Sequence, residues 1–143
     1  MKKPLISLLI LFIVLCAIFI GTMLNYKNSE KQILSFNKEY EQYMDKIVLG
    51  SEIATLINKA TNNNEKNKIE KTNDGKYINN GINSIQIFIK LTQKKDYFPM
   101  ETISEHKISE FVRNFNLQDF KCTKITYHDK TKQVAQLYFD IIE

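Results

Sequence analysis

The stretch LISLLILFIVLCAIFIGTML, residues 5–24, runs for twenty residues without a charge. At about 1.5 Å per residue it makes a helix of roughly 30 Å, the hydrocarbon thickness of a bilayer. Fourteen of the twenty are Leu, Ile, Val or Phe, and the polar members Ser7 and Thr22 stand near the ends. Each such apolar side chain favours insertion by about 0.3–0.6 kcal/mol near the membrane centre. Pro4 suits the first helical turn, where its missing N–H leaves no bond unmade. The stretch therefore reads as a single membrane span within an anchor, residues 1–26, and residues 27–143 read as one α+β domain attached to it. The alternative is a cleaved or lipidated leader. A leader has a shorter apolar middle and a small-x-small site after it. Here a cut after Gly21 puts Phe19 at the third position before it, and a lipid on Cys16 meets Leu15 where a small residue belongs.

Orientation follows from the flanks. Lys2, Lys3 and the amino terminus stand on one side; Lys27 and Lys31, offset by Glu30, stand on the other. The excess of positive charge at the start predicts a cytoplasmic N-terminus and an extracytoplasmic C-terminal domain on a single-pass protein of the cell membrane. The formal charge is +4, and setting aside Lys2 and Lys3 leaves +2 for the rest, with acids and bases interspersed. That balance gives no electrostatic case for nucleic acid. The two cysteines, Cys16 in the span and Cys122 in the domain, form no disulfide framework. An apolar core must hold the domain, and Cys122 reads as a small buried hydrophobe.

Beyond the span the chain keeps helical character, with no Pro or Gly between Asn25 and Gly50. Ile33, Phe36, Tyr40, Tyr43 and Ile47 recur at spacings of 3, 4, 3 and 4, one stripe along one side of a helix over Lys27–Leu49. Lys31, Lys38, Glu39, Glu41, Asp45 and Lys46 fall on the other side. The stripe is a candidate interaction surface: it packs on the domain's own sheet or pairs with a neighbouring chain. Ser51 is the expected N-cap of a second helix through Ile53, Leu56, Ile57 and Ala60, which the polar run Thr61–Asn67 is expected to end in a solvated loop.

The period then changes to that of strands. Asn73-Asp74-Gly75 joins Lys68–Thr72 to Lys76–Ile78 as a hairpin, and Asn79-Asn80-Gly81 is a second turn. In Ser84–Leu91, Ile85, Ile87, Ile89 and Leu91 alternate with Gln86, Phe88 and Lys90, which predicts a strand with its isoleucines inward. Gln93–Asp96 reads as a turn. Tyr97–Ile103 reads as extended, at a sheet edge because of Pro99. A short helix over Ser104–Asn114 buries Ile108, Phe111, Val112 and Phe115. Phe120–His128 and Gln133–Ile142 form a final hairpin, with Ala135, Leu137, Phe139 and Ile141 inward. The expected architecture is α+β: the membrane helix continues into an amphipathic helix packed on a small antiparallel sheet of about five strands, with one further short helix.

Catalytic patterns are thin. Cys122 and His128 share parity on one strand but stand roughly 20 Å apart if it is regular, and His106 reaches Cys122 only through the fold. Separated histidines without Cys-x-x-Cys do not suggest a metal site, and no Gly-rich phosphate loop is present. Tyr40 and Tyr43 with Lys38 and Lys46 form an aromatic-basic strip whose spacing fits packing better. Asn62–Asn64, Asn79, Asn80 and Asn83 are explained by turn chemistry more simply than by sugar binding. No cofactor and no small-molecule substrate is implied.

The runs FNKEYEQYMDKIVLGSEIATLINKATNNNEKN (36–67), FVRNFN (111–116) and FKCTKITYHDKT (120–131) resemble small uncharacterised single-pass envelope proteins of low-GC Gram-positive bacteria. That resemblance brings no activity and no catalytic residues. The layout is also remotely similar to type IV pilins and pseudopilins, in which an apolar helix half leads into an amphipathic half packed on an antiparallel sheet. Met1-Lys2-Lys3-Pro4 lacks the Gly of the prepilin cleavage pattern, and residues 5–24 lack its Glu. The expected function is that of a non-enzymatic membrane-anchored envelope protein whose exported domain binds another protein or a second copy of itself. The alternative is a pilin-like or pseudopilin-like subunit of a secretion or pilus assembly.

Overall fold

The computed structural model describes residues 2–92, 96–105 and 108–142, with the side chains of 2–5 and 105 outside that description. The chain divides into two compact units, Met1–Ser35 and Phe36–Glu143.

The first unit is helical throughout its described length, as part of helix α1 (Lys2–Glu41). Between Ile6 and Leu24 its large apolar side chains are exposed around the whole circumference, with Phe12 and Phe19 each at 65%. This helix is long and apolar enough to cross a membrane. Thr22 donates its hydroxyl to the Phe19 carbonyl at 2.8 Å, so a polar group within the apolar run is satisfied by its own helix. That is the condition lipid imposes on such groups.

The second unit contains the end of α1 and then β1 (Ile47–Leu49), α2 (Gly50–Lys66), β2 (Gln86–Lys90), β3 (Phe98–Pro99), α3 (Met100–Glu105), α4 (Ile108–Phe115), β4 (Asp119–Tyr127) and β5 (Val134–Ile141). The five strands make one sheet in the order β1-β4-β5-β2-β3. This is the expected α+β class, with two refinements. Beside the expected α4, a separate short helix α3 occupies Met100–Glu105, part of the stretch expected to be extended. The sheet is mostly antiparallel, but β2 and β5 are parallel, with Gln86 opposite Gln136 and Lys90 opposite Asp140. The connection between them, through β3, both short helices and β4, is long enough to bring the chain back in the same direction. Pro99 sits in edge strand β3, where a missing N–H costs no ladder bond.

The isoleucines of the clearest strand pattern face the core. Ile85, Ile87 and Ile89 are fully buried, as are Leu137 and Phe139 on β5 and Phe120 and Cys122 on β4. Ile53, Leu56, Ile57 and Ala60 of α2 cover them, together with Tyr40, Met100, Ile103 and Phe111. Gly50, expected to mark a break, is required by packing. A Cβ on it would lie 2.0 Å from the Phe115 carbonyl oxygen, so α2 starts against the end of α4 only with glycine there.

Three local expectations are corrected. The amphipathic helix ends at Glu41 instead of running to Leu49; Asp45 takes a positive φ of 58° and the chain enters β1, where Ile47, Val48 and Leu49 pair with Lys121, Phe120 and Asp119. The N-cap position of α2 is Leu49, not Ser51, and no side chain caps it. The helix also continues through Thr61–Lys66 instead of dissolving, because Asn64 has a buried task. Its Oδ1 accepts the Ile85 N–H at 2.9 Å and its Nδ2 donates to the Ile85 carbonyl at 2.7 Å, as a neighbouring strand would. Asn37 does the same for β5, accepting from Val134 N–H and donating to the Lys132 carbonyl, both at 2.8 Å. Two buried asparagines thus hold the starts of the two parallel strands.

Both glycine turns form where expected. Gly75 and Gly81 have positive φ, and the Lys71–Tyr77 bridge closes the first turn. The Asn80 Oδ1 accepts the N–H groups of Ile82, Asn83 and Ser84 and fixes the second. In the expected turn Gln93–Asp96, residues 93–95 lie outside the described residues, as does His106.

Candidate functional site

The stripe predicted from the sequence is divided by the fold. Tyr40 is 2% exposed in the core, Phe36 packs on it with ring centroids 4.8 Å apart, and Tyr43 meets the edge of Phe139 at 6.4 Å. These three serve the unit's own packing. Ile33 belongs to the first unit. Ile47 leaves the stripe altogether, standing in β1 at 60% exposure because the helix has already ended.

Cys122 and His128, two of the residues weighed for nucleophilic chemistry, are enclosed. Cys122 is fully buried, and burial pushes its thiol up to about 11, so it stays protonated at neutral pH. His128 is also buried, with Nε2 at 2.7 Å from the Ser84 carbonyl. A carbonyl only accepts, so Nε2 carries the proton. β4 is irregular between Cys122 and Lys124 and between Thr126 and Tyr127 and ends at Tyr127, so Cys122 and His128 do not stand on one regular strand. Among the described residues no three His, Cys, Asp or Glu side chains gather as metal ligands would.

The surface with chemistry on offer is the sheet face opposite the core. The register sets its side chains in rows: Leu49 and Asp119 form one at the β1 end, and three more follow. One runs Ile47, Lys121, Asp140, Lys90; the next runs Lys124, Tyr138, Phe88, Pro99; the third runs Thr126, Gln136, Gln86. The rings of Phe88 and Tyr138 stack at 4.9 Å with 15° between planes, and Tyr97 meets Tyr138 edge-on at 5.2 Å. Lys124 Nζ lies 5.4 Å from the Tyr138 ring centre and Lys90 Nζ lies 6.0 Å from that of Tyr97, within cation–π range. The Tyr97 hydroxyl donates to Asp140. Burial, then that hydrogen bond, raises its pKa and keeps the phenol protonated. In the third row Gln136 Nε2 donates to Gln86 Oε1 at 3.1 Å, and Gln136 Oε1 accepts from Thr126 and Tyr138. The face is aromatic at its centre and polar on either side.

Chain comparison adds no name to this surface: no family model, curated protein or solved structure matches the chain. Its residues were nonetheless signalled in the sequence. Phe88 stands among the outward positions of the alternating strand, between Gln86 and Lys90, and Tyr138 occupies the same place between Gln136 and Asp140.

Proposed function

We propose that this chain is a single-pass membrane protein of a bacterial envelope, with a cytoplasmic N-terminus and an extracytoplasmic head, that acts by binding another protein and not by catalysis. The observation that carries this reading is the uncovered sheet face: Phe88, Tyr97 and Tyr138 with Lys90 and Lys124 form an ordered aromatic-cationic surface. Aromatic residues are enriched where proteins meet. The enclosed Cys122 thiol supports a non-catalytic head, since only the thiolate attacks. The apolar helix supports the anchor, and the lysines before it support the orientation. The resemblance to small single-pass envelope proteins of low-GC Gram-positive bacteria agrees with both.

Photo-crosslinking residues placed one at a time over the head, in intact cells, test the reading. Discrete protein adducts from one contiguous surface are expected; an absence of adducts from every position overturns it. Protease added to intact cells should remove the head, and protection of the head until lysis reverses the orientation.

A second reading, a pilin-like or pseudopilin-like subunit, is favoured by the unbroken run of α1 from the apolar segment to Glu41. It predicts homo-oligomers with bundled anchors after mild detergent extraction. Monomers count against it.

A further inference from the structure

We infer that the open sheet face pairs with the same face of a second copy of this chain, β4 of each lying over β5 of the other. The inference rests on the reading of that face as a protein-binding surface and names its occupant. Charge is the first reason. Lys90 and Lys121 both stand opposite Asp140, Asp119 stands opposite Leu49 in the row before them, and Lys121 lies 3.7 Å from Asp45. With Lys124, that makes three lysines and three aspartates in and beside the face. A strongly acidic or strongly basic partner meets as much repulsion as attraction there, whereas a copy of the face brings the same balance to itself.

The order of the strands is the second reason. A two-fold axis running along the strands between β4 and β5 turns the face over onto its copy, with the sheets about 10 Å apart. It keeps every row at its own height and exchanges β4 with β5 and β1 with β2. Lys121 then meets Asp140 of the second copy, and Asp140 meets Lys121. Lys124 meets the Tyr138 ring, repeating across the interface the cation–π contact it makes within its own chain. Thr126 meets Gln136, and the exposed Ile47 covers the stem of Lys90 beside Tyr97. Each lysine of the face is set over an aspartate, a ring or an aliphatic residue, never over another lysine. Four strands and residues 119–126 enclose at most about 500 Å² a side, about 1,000 Å² in all, which is the floor for a specific interface. Pairing therefore depends on the apolar helix read above as an anchor, which confines copies to one plane and raises their effective concentration.

The test co-expresses two differently tagged copies of the full chain, both carrying Cys16→Ser, and oxidises their membranes. Thr126→Cys, beside the axis, should give abundant disulfide dimers, and Asn62→Cys, exposed on α2 across the sheet from the face, should give few. Lys121→Asp or Asp140→Lys in both copies sets like charges together twice per dimer and should lower the Thr126→Cys yield about fivefold. Lys121→Asp in one copy with Asp140→Lys in the other should restore the mixed dimer, a rescue in trans that a role confined to one chain does not produce. Should Asp140→Lys lose its fold by circular dichroism, Ile47→Lys takes its place, set over Lys90 of the second copy, with rescue expected from Lys90→Glu in the other chain. Equal yields from Thr126→Cys and Asn62→Cys, an unchanged yield in the folded charge variants, or no rescue in trans overturns the inference. Photo-crosslinking separates the two claims. Adducts from the Phe88 and Tyr138 positions with a different protein alone keep the face a binding surface and sink self-pairing; no adducts from any position sink both.

Discussion

One sheet carries two faces of opposite character. On the inner face, Ile85, Ile87, Ile89, Leu137 and Phe139 are fully buried under helices. On the outer face, Gln86, Phe88, Lys90, Gln136, Tyr138 and Asp140 come from the same two strands, alternating residue by residue with the first set. The inner face is apolar and is held by its covering helices. The outer face is held by its own side chains: rings stacked across strands, lysines beside rings, amides bonded to amides. The stacked pair Phe88–Tyr138 is a cross-strand contact that stabilises the sheet from its open side. The contrast separates residues buried in the core from residues on the open side of the same strands.

The comparison breaks if the two faces respond alike to truncation. Phe139→Ala, on the buried side, should cost about 3–5 kcal/mol by leaving a cavity in a close-packed core. Urea denaturation of the detergent-solubilised chain measures it. Asn64→Leu should follow at about 2–4 kcal/mol, because it leaves both the N–H and the carbonyl of Ile85 without partners in the interior. A loss below 1 kcal/mol there would mean that water replaces the amide. Phe88→Ala, on the open side, should cost only about 1 kcal/mol, the value of one ring stack, while removing the platform between Lys90 and Lys124. If Phe88→Ala matches Phe139→Ala, the outer face is structural and the division drawn here is wrong.

The smallest effect concerns a turn away from both faces. The Lys76 ammonium, then the Thr72 hydroxyl, holds the Asp74 carboxyl down to about 2. A depressed carboxyl stabilises the fold above its ordinary value and loses that contribution as pH falls through the depressed one. Stability should therefore dip slightly more between about pH 4 and pH 2 in the native chain than in Asp74→Asn. Parallel acid titrations of the two proteins, followed by circular dichroism, check this.

Much of the fold is written locally. The alternation of Ser84–Leu91, the Asp74-Gly75 and Asn80-Gly81 turns and the final hairpin each depend on residues close in sequence, and each forms where its pattern says. The readings that fail depend on partners far along the chain. Tyr43 and Ile47 continue a helical spacing, but Ile47–Leu49 finds Asp119–Lys121 as a strand partner and leaves the helix. Asn62-Asn63-Asn64 has loop composition; only the distant Ile85 backbone makes Asn64 a buried residue of a helix. The parallel pairing of β2 with β5 has no local signature at all. For the candidate site the signal lay in Phe88 and Tyr138 at outward positions, but neither strand alone reveals that the two rings stack.

The middle strand of the sheet, residues 134–141, follows the other four strands in the chain. A frameshift or premature stop before Val134 deletes the strip joining β4 to β2 and divides the sheet into the pairs β1-β4 and β2-β3.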